Sequence, residues 1–264
     1  MRLSCGRINT SFEHAKPTDF LQSQWQTNEK SFAYVLYRWI IASFYIFSVL
    51  VSLHKSAKCE HLHVYLIYLT HWNLCFTTVS MVHGALLTTA HYRDRLKINK
   101  KMTRNLKIYW FLSTSSNMFA FLVTIIYWSI LYKTEVNMVD LNNVVVHCTN
   151  SLMLLINLAV VKQPERFGLF LYPLTCGFIY LAFTWLYPFL GGLNRRDQDF
   201  IYPILDWKRK PGMALVAMVL VTVSGALIHT LLYGFYKIRV GIHKKYFAEK
   251  EDVEEKADLS ILTC

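Results

Sequence analysis

The side chains in this sequence that could do chemistry lie inside long apolar runs, where each polar group must find a partner or face a wet cavity because lipid offers none. On one run Thr70, Asn73, Thr77, Ser80 and Gly84 recur at offsets that place them on one helical face. On another, Asn143, His147, Asn150 and Asn157 do the same; a third contributes Ser113, Ser116, Asn117 and Thr124, and the last Thr222, Gly225 and His229. Small and amide side chains of this kind commonly hold membrane helices together. His147 differs, because an imidazole exchanges protons near neutral pH. A threonine hydroxyl is a poor nucleophile until a base takes its proton, and a neutral imidazole can be that base while tolerating an apolar site better than a permanent charge does. Thr70 and His147 are therefore the candidate catalytic pair, and Asn73 and Asn150, each one turn along, could donate hydrogen bonds to a developing oxyanion. No acid within a span can orient the histidine, which leaves a dyad, with Asp206 as a candidate third member on the same membrane side. The alternative is structural: His147 hydrogen-bonds a threonine and joins two helices.

The elements that must position these residues follow from composition. The 264-residue chain is 54% hydrophobic and only 17% charged, with a positive mean hydropathy of +0.27, outside the usual range of a soluble domain. The apolar residues cluster in runs 34–53, 62–87, 106–132, 143–161, 167–189 and 212–236, each long enough to span the hydrocarbon at about 20 residues per helix. All 17 acidic residues fall outside these windows. The fold class expected is all-α, a polytopic transmembrane helix bundle with six spans. Of the 28 Lys and Arg residues, 19 fall on the side that carries both termini and 8 on the other, with Arg38 inside the first span. Basic residues near helix ends stay cytoplasmic, so both termini are expected there. The domain reading is a cytoplasmic N-terminal segment 1–33, a membrane domain 34–236 and a cytoplasmic tail 237–264. In this topology the second and fourth spans run inward, and Thr70 and His147 lie about 12 Å and 6 Å below their entry points, which overlap within one turn given the uncertainty of helix ends. They are expected to meet in an outer-leaflet cavity.

The loops add three expectations. The basic run Arg93, Arg95, Lys97, Lys100, Lys101, Arg104 and Lys107 suits anionic lipid headgroups, so the net charge of +11 points to a membrane surface and not to nucleic acid. The connection from Leu190 to Pro211 carries Tyr202, Pro203, Leu205 and Trp207, too much apolar surface for a free linker; it is expected on the outer membrane face, either as an ordinary interfacial loop or as a lid over a cavity. The acid-rich tail, with Glu249, Glu251, Asp252, Glu254 and Glu255, reads as a solvated end. No apolar leader precedes the first span, and the six cysteines offer no outer disulfide pair. Phosphate loops, Cys-x-x-Cys pairs and His-Glu-x-x-His motifs do not occur, so no cofactor and no metal is expected.

Several ordered strings carry a family resemblance: Gln24-Trp25-Gln26, Tyr37-Arg38-Trp39, Tyr68-Leu69-Thr70-His71-Trp72-Asn73-Leu74, His147-Cys148-Thr149-Asn150 and Tyr202-Pro203-Ile204-Leu205-Asp206-Trp207. Together they closely resemble the rolling stone family of insects, from about residue 20 to 245. That resemblance implies a role in myoblast fusion during muscle development, at the plasma membrane. More remotely, the span pattern and the Tyr-Leu-Thr and His-x-x-Asn steps are similar to the androgen-induced and androgen-dependent membrane proteins, which hydrolyse fatty acid esters of hydroxy fatty acids with a membrane-embedded threonine and a histidine. Thr70 matches that threonine and His147 that histidine, which implies a fatty acid ester substrate.

Overall fold

The computed structural model describes residues 9–96, 101–131 and 144–262. Helix α1 spans Phe32–Lys58 and opens on Ser31, whose hydroxyl accepts the Tyr34 backbone N–H; Lys55 and Lys58 in its last turn complement the helix dipole. A 3-10 segment, Leu62–Ile67, leads to α2, Leu69–Tyr92. Helix α3 covers Arg104–Ile126, capped by the Thr103 hydroxyl on Leu106 N–H, and winds into a π-helical turn at Tyr127–Leu131. A second π-helical turn, Val145–Thr149, enters α4, Asn150–Val160. A 3-10 turn at Phe167–Phe170 precedes α5, Leu171–Phe189, and α6 runs from Pro211 to Leu262 without a break. Pro211 stands where a helix lacks N–H partners in any case.

The expected all-helical class holds, and no strand occurs among the described residues. Four segments are long and apolar enough to cross a membrane: Phe32–Lys58, Arg104–Ile130, Phe167–Phe189 and Pro211–Phe247. Helix α2 has the length but a polar face lowers its hydropathy, and the apolar stretch His147–Val160 is short. Burial ranks the four. Two thirds of the α3 window is inside the molecule (67%), against 22% for α5 and for α6, so α3 is the central helix and the last two turn most of their apolar surface outward. Ile179, Val216 and Leu231 are among those outward side chains, and Leu50 of α1 is exposed as well. The core between α1, α2, α3 and α4 is built from Ile41, Tyr45, Leu74, Met81, Ala120 and Leu154.

At the end of the bundle that carries both termini, the interior is polar. Arg38 is fully buried, donating to the Tyr109 hydroxyl (2.9 Å) and to Asn157 Oδ1 (3.3 Å). Gly84 makes this possible, since a Cβ there would lie 1.8 Å from Arg38 Nη2. The turn after α4 is drawn into the same region. Gln163 donates to the Ser113 hydroxyl (2.5 Å), Thr114 donates to the Glu165 carboxylate (3.4 Å), and Arg239 of α6 donates to the carbonyls of Leu158 and Gln163. Glu165 lies between spans, as the sequence suggests, yet it is buried. Burial pushes its pKa up to about 7, against the opposing pull of the Arg239 charge and of hydrogen bonds from Thr114 and Asn117.

Residues 9–31 close this end. A 3-10 turn at Pro17–Leu21 buries Phe20 and Leu21 against Leu106, Tyr109, Trp110 and Leu169. The Gln24 N–H donates to Val160 O (2.8 Å), the Lys162 N–H to Gln22 O (3.0 Å) and the Trp25 indole to Ala159 O (2.8 Å). Within the N-terminal segment 1–33, the described residues from 9 onward are thus packed on the bundle. The expected tail 237–264 is continuous with the last span as one helix as far as Leu262.

Candidate functional site

Thr70 is the second residue of α2, because the helix begins later than the sequence suggests. The expected entry near Leu62 is taken by the 3-10 segment, and Tyr68 is extended (φ −95°, ψ 132°) before helical geometry starts at Leu69. Two tyrosines fasten the junction. The Leu69 N–H points at the hydroxyls of Tyr180 (2.9 Å) and Tyr202 (3.1 Å), and Tyr180 in turn donates to Ile67 O (2.8 Å). His71 stacks flat on Tyr65, ring centroids 3.8 Å apart, and its Nδ1 meets the Tyr65 carbonyl. Thr70 therefore sits in the first turn of a long helix, where the aligned peptide dipoles leave a partial positive charge even though the Leu69 and His71 N–H groups are bonded. That field favours an alkoxide or an oxyanion over the neutral form.

The half-buried Thr70 lies on the wall of a cavity of about 80 Å³. Its lining is almost wholly apolar: Leu122 from α3, Leu174 from α5, Val221 from α6, and Ile204 and Leu205 from the loop above. Gly177 and Gly225 face it as well. A hydrocarbon chain fits such walls, and Thr70 offers it a hydroxyl. The roof is the connection after α5, where Ile201 and Leu205 are buried and the Trp207 indole donates to the Thr184 hydroxyl (3.2 Å). Of the residues that argued against a free linker, Tyr202 and Leu205 line the cavity and Pro203 and Trp207 do not.

His147 is buried in the π-helical turn before α4 and lies face to face with Tyr127, centroids 3.5 Å apart and planes 1° from parallel. Both rings of this stack stand in π-helical turns, irregularities that recur at functional sites. Thr124 fixes the turn by donating to His147 O (2.7 Å). Thr70 and Tyr127 line the cavity, and His147 packs against Tyr127 without lining it. The structure thus places Thr70 and Tyr127 in the cavity lining and His147 against Tyr127 outside that lining, so the expected pair does not share the cavity surface.

Asn73 is buried on α2, accepting from Thr77 (3.5 Å) with its Nδ2 unpartnered by protein; it borders a second cavity, of about 150 Å³, together with Trp72 and Phe76. Asn150 is buried too, its carbonyl oxygen receiving the Tyr45 hydroxyl (2.8 Å) while Oδ1 has no protein partner. Asp206 is turned to a different task, accepting the Arg209 N–H (3.0 Å), and its neighbours Ile204 and Leu205 line the cavity in its place. Sequence reasoning missed Tyr127, the Tyr180–Tyr202 clamp and buried Glu165. Nothing in spacing marks a tyrosine in an apolar run as a stacking partner, whereas the Ser113–Asn117 face of α3 does signal that polar groups must meet it. Of the basic run, Arg93, Arg95 and Lys101 are exposed and Lys107 pairs with Glu13, while Lys97 and Lys100 lie outside the described residues, as does Asn143. No group of three His, Cys, Asp or Glu side chains is arranged to hold a metal among the described residues.

Comparison with known proteins matches residues 3–249 to the family described as protein rolling stone. The chain is 29% identical to protein rolling stone of Drosophila melanogaster over 248 residues, covering 88% of this chain and 87% of that protein. No solved structure matches. With a match that takes in the N-terminal cap, every helix of the bundle and the roofed cavity, the chain belongs to the rolling stone family.

Proposed function

We propose that this protein acts in myoblast fusion during muscle development, as a six-span component of the plasma membrane with both termini cytoplasmic. The observation that carries the reading is family membership along nearly the whole chain. The topology is supported by where polar groups lie: the exposed cations Arg93, Arg95 and Lys101 stand at the end that carries both termini, where anionic headgroups of a cytoplasmic leaflet would meet them. Of the polar residues that lower the hydropathy of α2, Asn73, Thr77, Ser80 and Thr88 are buried, and Val79 and Leu86 are exposed on its outer side. Restoring the protein to null myoblasts tests the role. Fusion index returns to the wild-type value if the reading is right, and a fusion index that stays at the null level counts against it.

A second reading, favoured by Thr70 on the wall of an apolar cavity, is hydrolysis of a fatty acid ester within the bilayer. The Thr70 oxygen adds to the ester carbonyl while a base takes its proton, a role that needs the His147 ring to come from behind Tyr127 to the cavity wall. The alcohol then leaves with that proton and an acyl group stays on Thr70. Water adds to this acyl-threonine, giving a proton to His147, and the carboxylic acid departs as the hydroxyl is restored. Tyr127 holds the imidazole plane, and the α2 N-terminus stabilises the oxyanion. Labelling with a serine/threonine-hydrolase probe is expected in wild type and absent in Thr70→Ala. If Thr70→Ala restores fusion as fully as wild type, fusion does not depend on catalysis.

A further inference from the structure

Hydrolysis at Thr70 consumes water, yet the cavity walls are hydrocarbon, so the second reactant needs its own route. The interior of the bundle supplies one. On α2, Asn73, Thr77, Ser80 and Gly84 fall one per turn on the buried face, running from the Thr70 site toward the Arg38 centre. Along this line Asn73 Nδ2 and Ser80 Oγ have no protein partner, although both residues are at most 1% exposed. The facing helices show the same pattern. Asn150 Oδ1 on α4, and Ser115 Oγ, Ser116 Oγ and Asn117 Oδ1 on α3, are buried without a protein partner. Asn117 also stands near enough to Glu165 to favour its charged form, and Thr114 on the same helix donates to its carboxylate (3.4 Å), which joins the α3 group to the polar centre at the far end. Native structures leave very few buried polar atoms unbonded, because each loses its hydration for nothing. A set of six on three neighbouring helices is a set of binding positions for water, which bridges polar groups that cannot reach one another.

We infer that the interior faces of α2, α3 and α4 form a water path from the Glu165 centre to Asn73, and that this path delivers the water that releases the acyl group from Thr70. The inference rests on the hydrolytic reading for its purpose, and on the unpartnered buried groups for its existence. Asn73 is the hand-over point, since it is one turn from Thr70 on the same helix. Arg38 beside the path repels cations, so the path suits a neutral molecule.

Two measurements test the two halves separately. Water-edited solid-state NMR of the full-length protein in liposomes reads hydration without any substitution. The side-chain amides of Asn73 and Asn117 are expected to gain water magnetisation far faster than the methyls of Ala120 and Leu154; equal, slow transfer overturns the path. For delivery, Ser80→Val places a methyl pair on the path without touching the cavity wall. Acylation of Thr70 by an ester probe is expected at the wild-type rate, with release of the acyl group slowed at least about tenfold and acyl-Thr70 accumulating. Unchanged release in a Ser80→Val protein of normal melting temperature overturns delivery. Should wild type itself never acylate at Thr70, the hydrolytic reading fails and delivery fails with it, an outcome distinct from a dry interior.

Discussion

Gly84 and Arg38 show how one residue without a side chain can fix the chemistry of a bundle core. The guanidinium fills the space a Cβ would need and binds Tyr109 on α3 and Asn157 on α4. Gly84→Ala is expected to cost about 2 kcal/mol by overpacking, read as a lower melting temperature in detergent, with Gly84→Ser at least as costly. At Tyr127, substitution by Leu keeps the apolar wall and removes the π face against His147. Thermal stability should change little, while probe labelling of Thr70 falls by about tenfold or more if imidazole placement matters to the hydroxyl. The burial of His147, Asn73 and Asn150 was legible in sequence because lipid makes any interior polar group conspicuous. Tyr127 was not, since an aromatic in an apolar run is the commonplace case. Asp206 drew attention by being an acid on the right side of the membrane, and its commitment to Arg209 depends on a local turn that no periodicity reveals.

Among the elements, the turn after α4 departs furthest from its sequence. A six-residue connection containing lysine, glutamine, glutamate and arginine reads as solvated, but α3 presents Ser113, Thr114 and Asn117 on the facing side and draws Gln163 and Glu165 in. This has a pH consequence. An unfolded glutamate ionises near 4.5, and the folded one keeps its proton to about 7. Between those values the folded state binds more protons than the unfolded state, so stability falls as pH rises, and the whole penalty of about 3 kcal/mol is present above pH 7. Glu165→Gln is expected to raise the melting temperature at pH 7.5 and to flatten the melting profile between pH 4.5 and 7. A variant that melts lower at pH 7.5 would mean that the carboxylate's partners outweigh its desolvation. The start of α2 is the other element misplaced by hydropathy, for an apolar run cannot say where 3-10 geometry gives way to a helix; the Tyr180 and Tyr202 hydroxyls set that boundary from other parts of the chain.

In the whole molecule, the all-helical class followed from apolar clustering alone, because helices close their own hydrogen bonds in lipid, and four of the apolar runs hold helices long and apolar enough to cross it. The docking of residues 9–31 did not, since Phe20 and Leu21 are only two apolar residues in a polar stretch, and their burial depends on a surface assembled from α3 and the α5 approach. Phe20→Ala is expected to cost about 3 kcal/mol, with a shift in Trp110 fluorescence that reports the opened contact. Helix α6 carries a different implication. Its 52 residues make a rod about 78 Å long, more than twice the hydrocarbon thickness. Arg239 pins that rod to the carbonyls of Leu158 and Gln163. Gly225, on the cavity wall, lies about 21 Å to one side of the pin, and the helix end at Leu262 about 34 Å to the other. The geometry is that of a lever with its fulcrum at Arg239, so a force applied at the far tip reaches the cavity wall multiplied about 1.6-fold, and whatever grips the tail gains mechanical leverage over the width of the apolar cavity.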